Sequence, residues 1–477
     1  MPNFKNFIAG LTGQNTALAK TTQFTKDDAA AMLNMSKEAM EAFEKSYQQE
    51  ILDKPTSTDN LFDINAKQAA AMHTPAEINE AADAIAKSII DELLEQTVIL
   101  DYDGKNLKEI TFQPEISQAL VSTDVIDRLP APMRPQLTGR HMKRDINEDT
   151  YMVLLQNYHK FQTAKNPKDR ALWYNMFRQG LDILDLDPIT YQILGMNQNS
   201  MGNWLPKLVN GVKNQDFFKI PKTKVMKVPL TLLQLTRQEY TQMTPATFKI
   251  LNDFCFKAFD LDENQDYFIK TGTYSSKFDF RNAHVHDPKE VHELGQYLLF
   301  IHFQALMMAS PLATPSIYGV STTNEWVVRQ YIHDSQGLPT IYKGLPLRTE
   351  YRIFADFDEN TILAANPYWD PEVMLKRFGG QQDADSPHQI HDYIVYKSQA
   401  DRLQKTYDTN IGMLKTKLTA ILPDINLPGQ WSIDIMQDGD DFYIIDMATA
   451  QTSAFSEKIP AHLRKTMPEN WIPMLAK

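Results

Sequence analysis

Residues 348–371, RTEYRIFADFDENTILAANPYWDP, place Glu350 and Arg352 two positions apart in a stretch that reads as a strand. Side chains at i and i+2 share a strand face, so a carboxylate and a guanidinium stand together between Tyr351, Ile353 and Phe354. If that face is buried, each charge needs a partner, because an unpaired buried charge is strongly destabilising. A mutual or cross-strand ion pair would satisfy both. So would a phosphate onto which Arg352 forks, with Glu350 orienting it. Arg352, Arg348 and Lys343 are the cations within reach of Glu350 along the chain.

A second pair of charges lies in WSIDIMQDGDDFYIIDMATA, residues 431–450. Asp438, Gly439, Asp440 and Asp441 read as an exposed turn, while Asp434 and Asp446 sit inside the apolar strands on either side. Antiparallel pairing about that turn sets the two carboxylates roughly across from each other. They repel unless a cation lies between them, and Mg2+ sharing phosphate oxygens suits such a pair. A plain acidic surface hairpin is the competing reading.

In FIKTGTYSSKFDF a strand ends in Lys270, and a loop with Gly272, Ser275 and Ser276 returns to Lys277. Backbone N–H groups and hydroxyls of such a loop can cradle phosphate oxygens, with the lysines supplying charge. A hairpin with surface lysines has the same pattern. EWVVRQYIHD ends an apolar strand in polar groups, where the backbone of Gln330 and Ile332 could pair with an adenine edge; most buried strands end this way. His284 and His286 are candidates for acid–base work or ordinary surface residues. Tyr368 and Trp369 would flank an acceptor or plug a core. No persuasive Ser/His/Asp or Cys/His arrangement is present.

The elements that must position these residues change character along the chain. Residues 25–52 read as two helices, the first with a capping box from Thr25 to Asp28 and the second starting near Ser36. A further helix starts at Thr74, with Pro75 in its first turn. TVILDYDGKNLKEITF is a hairpin about Asp103-Gly104. The proline-rich run RLPAPMRPQLTG connects to helices over 147–164 and 168–183, whose stripe of Tyr158, Phe161, Trp173, Met176 and Phe177 reads as core. After residue 200, strands predominate: 222–229, 266–272, EWVVRQYI, TEYRIFADF, TILAANPYW, QWSIDIMQ and DFYIIDMA. A long apolar helix is expected at 291–308 and another at about 390–420. The expectation is an α+β chain, with a helical domain over 1–135, a helical connector over 136–200 and the strand-rich domain over 201–477.

With 477 residues, the chain can build two or three cores. A formal net charge of −12 argues against a general nucleic-acid or anionic-membrane binder. The one cysteine, Cys255 in an apolar run, reads as a buried inert thiol. No apolar stretch approaches the roughly 18 residues that span a bilayer, and the first residues are too polar for a secretory signal. A cytoplasmic setting is expected.

Taken in order, FIK…SSK, WVVRQYI, TEYRIF, WSIDI and YIIDMA resemble the nucleotide site of ATP-grasp proteins. The likeness is to the branch containing the eukaryotic cell-division-cycle chaperone for translation initiation factor two. It resembles still more the ATP-grasp proteins of phages and prophages, which have counterparts to NPYW and IDMA. It covers roughly residues 200–460. The resemblance implies a C-terminal ATP-grasp fold, antiparallel sheets with helices and the nucleotide between two subdomains, binding ATP and Mg2+. On its terms Lys270 and Lys277 hold phosphates beside Ser275 and Ser276. Arg329, Gln330, Tyr331 and Ile332 lie along the adenine. Glu350 lies near the nucleotide, Arg352 at the γ-phosphate, and Asp434 and Asp446 on the metal. Lys277 and Arg352 are then the catalytic cations. Ala448 departs from the pattern of many ATP-grasp ligases, which carry a metal-binding Asn there; Thr449 or Gln451 would have to substitute. The activity implied is a ligase that activates a carboxylate as an acylphosphate, the acceptor being a small molecule, peptide or protein. The alternatives are a phage nucleic-acid ligase or repair enzyme, less favoured by the acidic charge, and an ATP-binding assembly chaperone. A phage-encoded chain would act in the bacterial host cytoplasm.

Overall fold

The computed structural model describes residues 89–112, 197–233, 245–312, 323–378 and 387–465, with isolated positions between 86 and 195. The helices expected at 25–52, the cap at Thr74, the proline-rich connector and the border at 135/136 lie outside these residues. Of the apolar stripe, Trp173 and Met176 are described and half-buried.

The first hairpin forms where the sequence placed it. β1 (Val98–Tyr102) and β2 (Leu107–Thr111) pair antiparallel. Asp103 turns the corner by accepting the backbone N–H groups of Lys105 and Asn106, each at 2.8 Å. The chain continues through α1 (Met201–Val212), β3 (Phe218–Lys219), β4 (Thr223–Lys227), α2 (Pro245–Ala258), β5 (Tyr267–Thr271), β6 (His284–Val285) and α3 (Leu294–Leu312). Then follow β7 (Glu325–Gln330), the short pair β8 (Thr340–Ile341) and β9 (Leu345–Pro346), β10 (Glu350–Asp356) and β11 (Thr361–Pro367). Two helices, α4 (Pro371–Phe378) and α5 (Pro387–Ile425), precede the final hairpin of β12 (Gln430–Asp438) and β13 (Asp441–Thr449). The single helix expected at 291–308 is two: Pro288–His292, capped by Asp287, and α3. After Lys277 the chain turns into short helices rather than returning as a strand.

Two sheets result. The first runs β2-β1-β4-β7-β5-β6 and the second β11-β10-β12-β13-β3. Alternation along β7 explains how the first sheet is packed: Trp326 and Val328 join a core with α2 and α3, while Glu325, Val327 and Arg329 face the other way. Cys255 is wholly buried in that core, and burial pushes its thiol far above the ordinary range, as expected of an inert cysteine. In the second sheet Tyr351, Ile353, Ile433, Ile435 and Ile444 pack with α1 and α5 in a second core, which Val225 and Val327 of the first sheet also enter. Glu350, Arg352 and Asp434 are left on the opposite face. The architecture is α+β, and no helix among the described residues is long and apolar enough to cross a membrane.

Candidate functional site

Strand register brings the charges together. On the second sheet Asn366 of β11 lies opposite Arg352 of β10, which lies opposite Asp434 of β12, which lies opposite Asp446 of β13. The last pairing depends on a bulge. Asp438 pairs with Asp441, so simple alternation would set Asp434 against Ile445; the register shifts between Asp434 and Ile435 and sets it against Asp446 instead. One extra residue turns the following side chains to the other face. Ile444 therefore stays in the core while Asp446 joins Asp434.

The first sheet supplies the opposing cations. Lys270 on β5 pairs with Val327 on β7, and Arg329 on β7 pairs with Thr223 on β4, on the face that carries Val225 and Val327. Lys270 Nζ lies 3.1 Å from Asp446 Oδ1. Arg329 donates from Nε to the Thr223 hydroxyl at 3.2 Å and from Nη1 to the carbonyl of the bulged Ile445. Its Nη2 is buried without a hydrogen-bond partner. Arg352 forks onto Asp434 with Nε–Oδ1 at 2.8 Å and Nη2–Oδ2 at 2.7 Å. The counter-charge of Arg352 in this structure is therefore Asp434, and that of Asp446 is Lys270. Each carboxylate thus has its own cationic side chain.

Glu350 is handled differently. Its nearest cation is Lys277 at 3.9 Å, whereas Lys343 pairs with Asp279 and Arg348 with Asp438. The Lys277 ammonium sits over the Tyr368 ring, 3.5 Å from its centroid, and the Arg352 guanidinium lies 4.9 Å from the same centroid. Tyr368 thus holds two cations through the face of its ring without neutralising either. Trp369 is buried, its indole N–H donating to the Arg348 carbonyl at 2.8 Å.

Burial disfavours the charged form of every one of these groups. It pulls Lys270 below its ordinary value, with Asp446 opposing, and lowers Arg329 to about 10. Burial also works against charge on Lys277 and Arg352, but Tyr368 and Glu350 outweigh it at Lys277, and Asp434 does so at Arg352; both end above their usual values. Glu350 is raised by burial, with Lys277 pulling the other way.

The remaining expected residues are distributed around this centre. Ser276 is left-handed (φ 47) and buried, its hydroxyl bonded to Gln304 Oε1 at 2.7 Å; Ser275 is half-buried. The Gln330 N–H donates to the Lys222 carbonyl at 2.9 Å, and the Ile332 carbonyl accepts from Arg348 at 2.7 Å. Both atoms are thus engaged by the protein itself. Tyr331 stacks on His284 at 3.9 Å between ring centroids, and His284 approaches Asp266 at 3.3 Å. His286 pairs with Glu290 on the surface. Of the two expected substitutes for a ligand at position 448, Thr449 Oγ1 bonds the Thr452 hydroxyl and Gln451 Nε2 donates to the Lys465 carbonyl.

A buried carboxylate beside the site escaped the sequence reading. Glu325 at the start of β7 is fully buried, its Oε2 accepting the Gly202 N–H at 2.9 Å and its Oε1 without a partner. Burial lifts its pKa to about 7. A Cβ at Gly272 would lie 2.6 Å from its carboxylate and from the Thr323 hydroxyl, so the lysine strand can turn there only with glycine. The signal was available: Glu325 and Arg329 are four apart, on one strand face, as Glu350 and Arg352 are two apart.

No family model matches the chain, and no curated protein does. Among solved structures it is similar to Cdc123 from Schizosaccharomyces pombe, at 13% identity and a TM-score of 0.31, covering 58% of this chain and 95% of that one. A C-terminally truncated form of the same protein gives 12% identity and a TM-score of 0.31, with the same coverage. Likeness at this level carries no argument about activity.

Proposed function

We propose that the face shared by the two sheets binds ATP with Mg2+ in the manner of an ATP-grasp protein. One observation carries this reading: Lys270 of one sheet forms an ion pair with Asp446 in the Arg352–Asp434–Asp446 row of the other, and Arg329 beside it bonds the Ile445 carbonyl next to that row. The donor set fits the group. A triphosphate needs several fixed donors, and Lys270, Lys277, Arg329 and Arg352 provide them, one with a buried N–H that has no partner. A hard divalent ion needs one or two carboxylates beside phosphate oxygens, and Asp434 and Asp446 supply those. The Asp446 side chain, 38% exposed against 2% for Lys270, opens the site to solvent.

When bound, the ion would neutralise phosphate charge. The protein's part would be to orient: Tyr368 and Glu350 hold Lys277, Asp434 aims Arg352, and the Ile445 carbonyl fixes Arg329. Such positioning and charge compensation suffice for phosphoryl transfer without a protein nucleophile. An ATP-dependent ligase activating a carboxylate is therefore the leading activity. A second reading, ATP binding with little turnover, as in an assembly chaperone, draws support from Ala448 and from the ion pairs that both aspartates already make. Titration calorimetry with MgATP tests the site. Lys270→Ala and Arg352→Ala, shown to be folded by circular dichroism, are expected to weaken binding by about tenfold or more each. Absence of MgATP binding by the unaltered protein would overturn the reading. Release of ADP on incubation with candidate acceptors separates the ligase from the non-hydrolysing binder.

A further inference from the structure

Four charges at the centre of the site form two ion pairs, Arg352–Asp434 closed from solvent and Lys270–Asp446 buried on the lysine side and open on the aspartate side. Both carboxylate oxygens of Asp434 are taken by the Arg352 fork, with side chains 10% and 13% exposed. Asp446 gives Oδ1 to Lys270 and to the Met447 N–H. The two pairs are neighbours, since Asp434 and Asp446 are register partners. Each pair is neutral as it stands. An anion that draws Arg352 away leaves Asp434 bare in a buried place, and a cation that draws Asp434 away leaves Arg352 bare. Stranding one member of a buried, hydrogen-bonded pair is much costlier than exchanging both partners.

We propose that the site works by partner exchange: it admits a polyphosphate only together with its divalent cation. The phosphates take Arg352 and Lys270 while the metal takes Asp434 and Asp446, so that no buried charge is stranded. This rests on the nucleotide reading and adds to it the form of ligand accepted. The metal-free anion is refused because the aspartates already hold the cations it needs. The bare metal is refused because taking the aspartates would strand the buried Arg352 and Lys270. Binding of the two is thus mutually dependent, each raising the affinity of the other by the same factor.

The consequence runs against the usual expectation for a metal ligand. Removing the charge of Asp434 should improve binding of metal-free nucleotide, because Arg352 is released. The experiment is calorimetry of ATP in EDTA and in Mg2+, with thermal melting in Mg2+ alone. For the unaltered protein, ATP affinity should fall by about a hundredfold or more in EDTA, and Mg2+ alone should leave the melting temperature unchanged. Asp434→Asn should bind ATP in EDTA about tenfold or more tighter than the unaltered protein, and should lose most of the Mg2+ enhancement. Asp446→Asn, which releases Lys270, provides the same test should Asp434→Asn fail to fold. The exchange is overturned if the unaltered protein binds ATP equally well with and without Mg2+. It is equally overturned if the folded variants bind metal-free ATP no better than the parent, an outcome that leaves the nucleotide site itself standing. If the parent binds neither ATP nor MgATP, the site reading fails and the exchange with it.

Discussion

Glu325 shows how much one buried carboxyl can matter away from the charges that motifs announce. Its folded pKa, about 7, lies above the 4.5 of a free glutamate because burial disfavours the ionised form. The sign follows: its contribution to stability is fully present below about pH 4.5 and is lost as pH rises through about 7. Glu325→Gln should therefore match the parent near pH 5 and exceed it at pH 8, by about 3 kcal/mol at most, in denaturant titrations at both pH values. An unchanged pH dependence would show that the carboxyl is ionised when folded. At Tyr368 the ring face, 3.5 Å from the Lys277 ammonium, does the positioning. Tyr368→Phe should keep MgATP affinity and Tyr368→Leu should lower it about fivefold, since the cation–π attraction belongs to the ring. A loss in the Phe variant would transfer the role to the hydroxyl.

At the scale of elements, the packing of α1 on α5 depends on a small residue at one point. A Cβ at Gly211 would fall 2.2 Å from Ile425 Cγ1 and 3.2 Å from its backbone nitrogen, so the two helices touch there through glycine alone. Gly211→Ala should destabilise the protein by about 1–3 kcal/mol through overpacking. Adding Ile425→Ala should recover part of that loss, which thermal melting of the single and double variants would read. The same helices cover the core face of β10 and β12, so a shift there is felt at Arg352 and Asp434. The strand pattern of this region was legible in the sequence because apolar residues alternate with Glu350 and Arg352 up to Ile353, and with Ser432 and Asp434 up to Ile435. The β13 bulge was not: counting back from the turn assigns Ile445, and nothing in YIIDMA marks the extra residue.

Across the whole molecule, residues 197–202 tie the two sheets to each other. The Met201 N–H donates to the Gly272 carbonyl at 3.1 Å beside the lysine strand. Asn199 Oδ1 accepts the Thr449 N–H at 2.8 Å at the end of β13, and its amide nitrogen donates to Thr452 at 3.2 Å. Asn199→Ala would leave a buried N–H unsatisfied, at a loss of about 1–3 kcal/mol. Amide hydrogen exchange should then quicken at Thr449 and stay unchanged in the β1–β2 hairpin, which forms the far edge of the first sheet. Uniform acceleration throughout would mean global destabilisation and no local tie.

What the amino-acid order determined by itself was local: the hairpins at Asp103-Gly104 and at 438–441, the α+β character, the buried thiol, and which strands carry charge. These depend on periodicity and turn chemistry, which act over a few residues. Tertiary structure alone decided who neutralises whom. Arg352 meets Asp434, Lys270 meets Asp446 across 176 residues of chain, and Lys277 reaches Glu350 in place of Arg348 or Lys343. Coulomb attraction depends on distance in space, and no spacing along a strand encodes the partner that another sheet will bring.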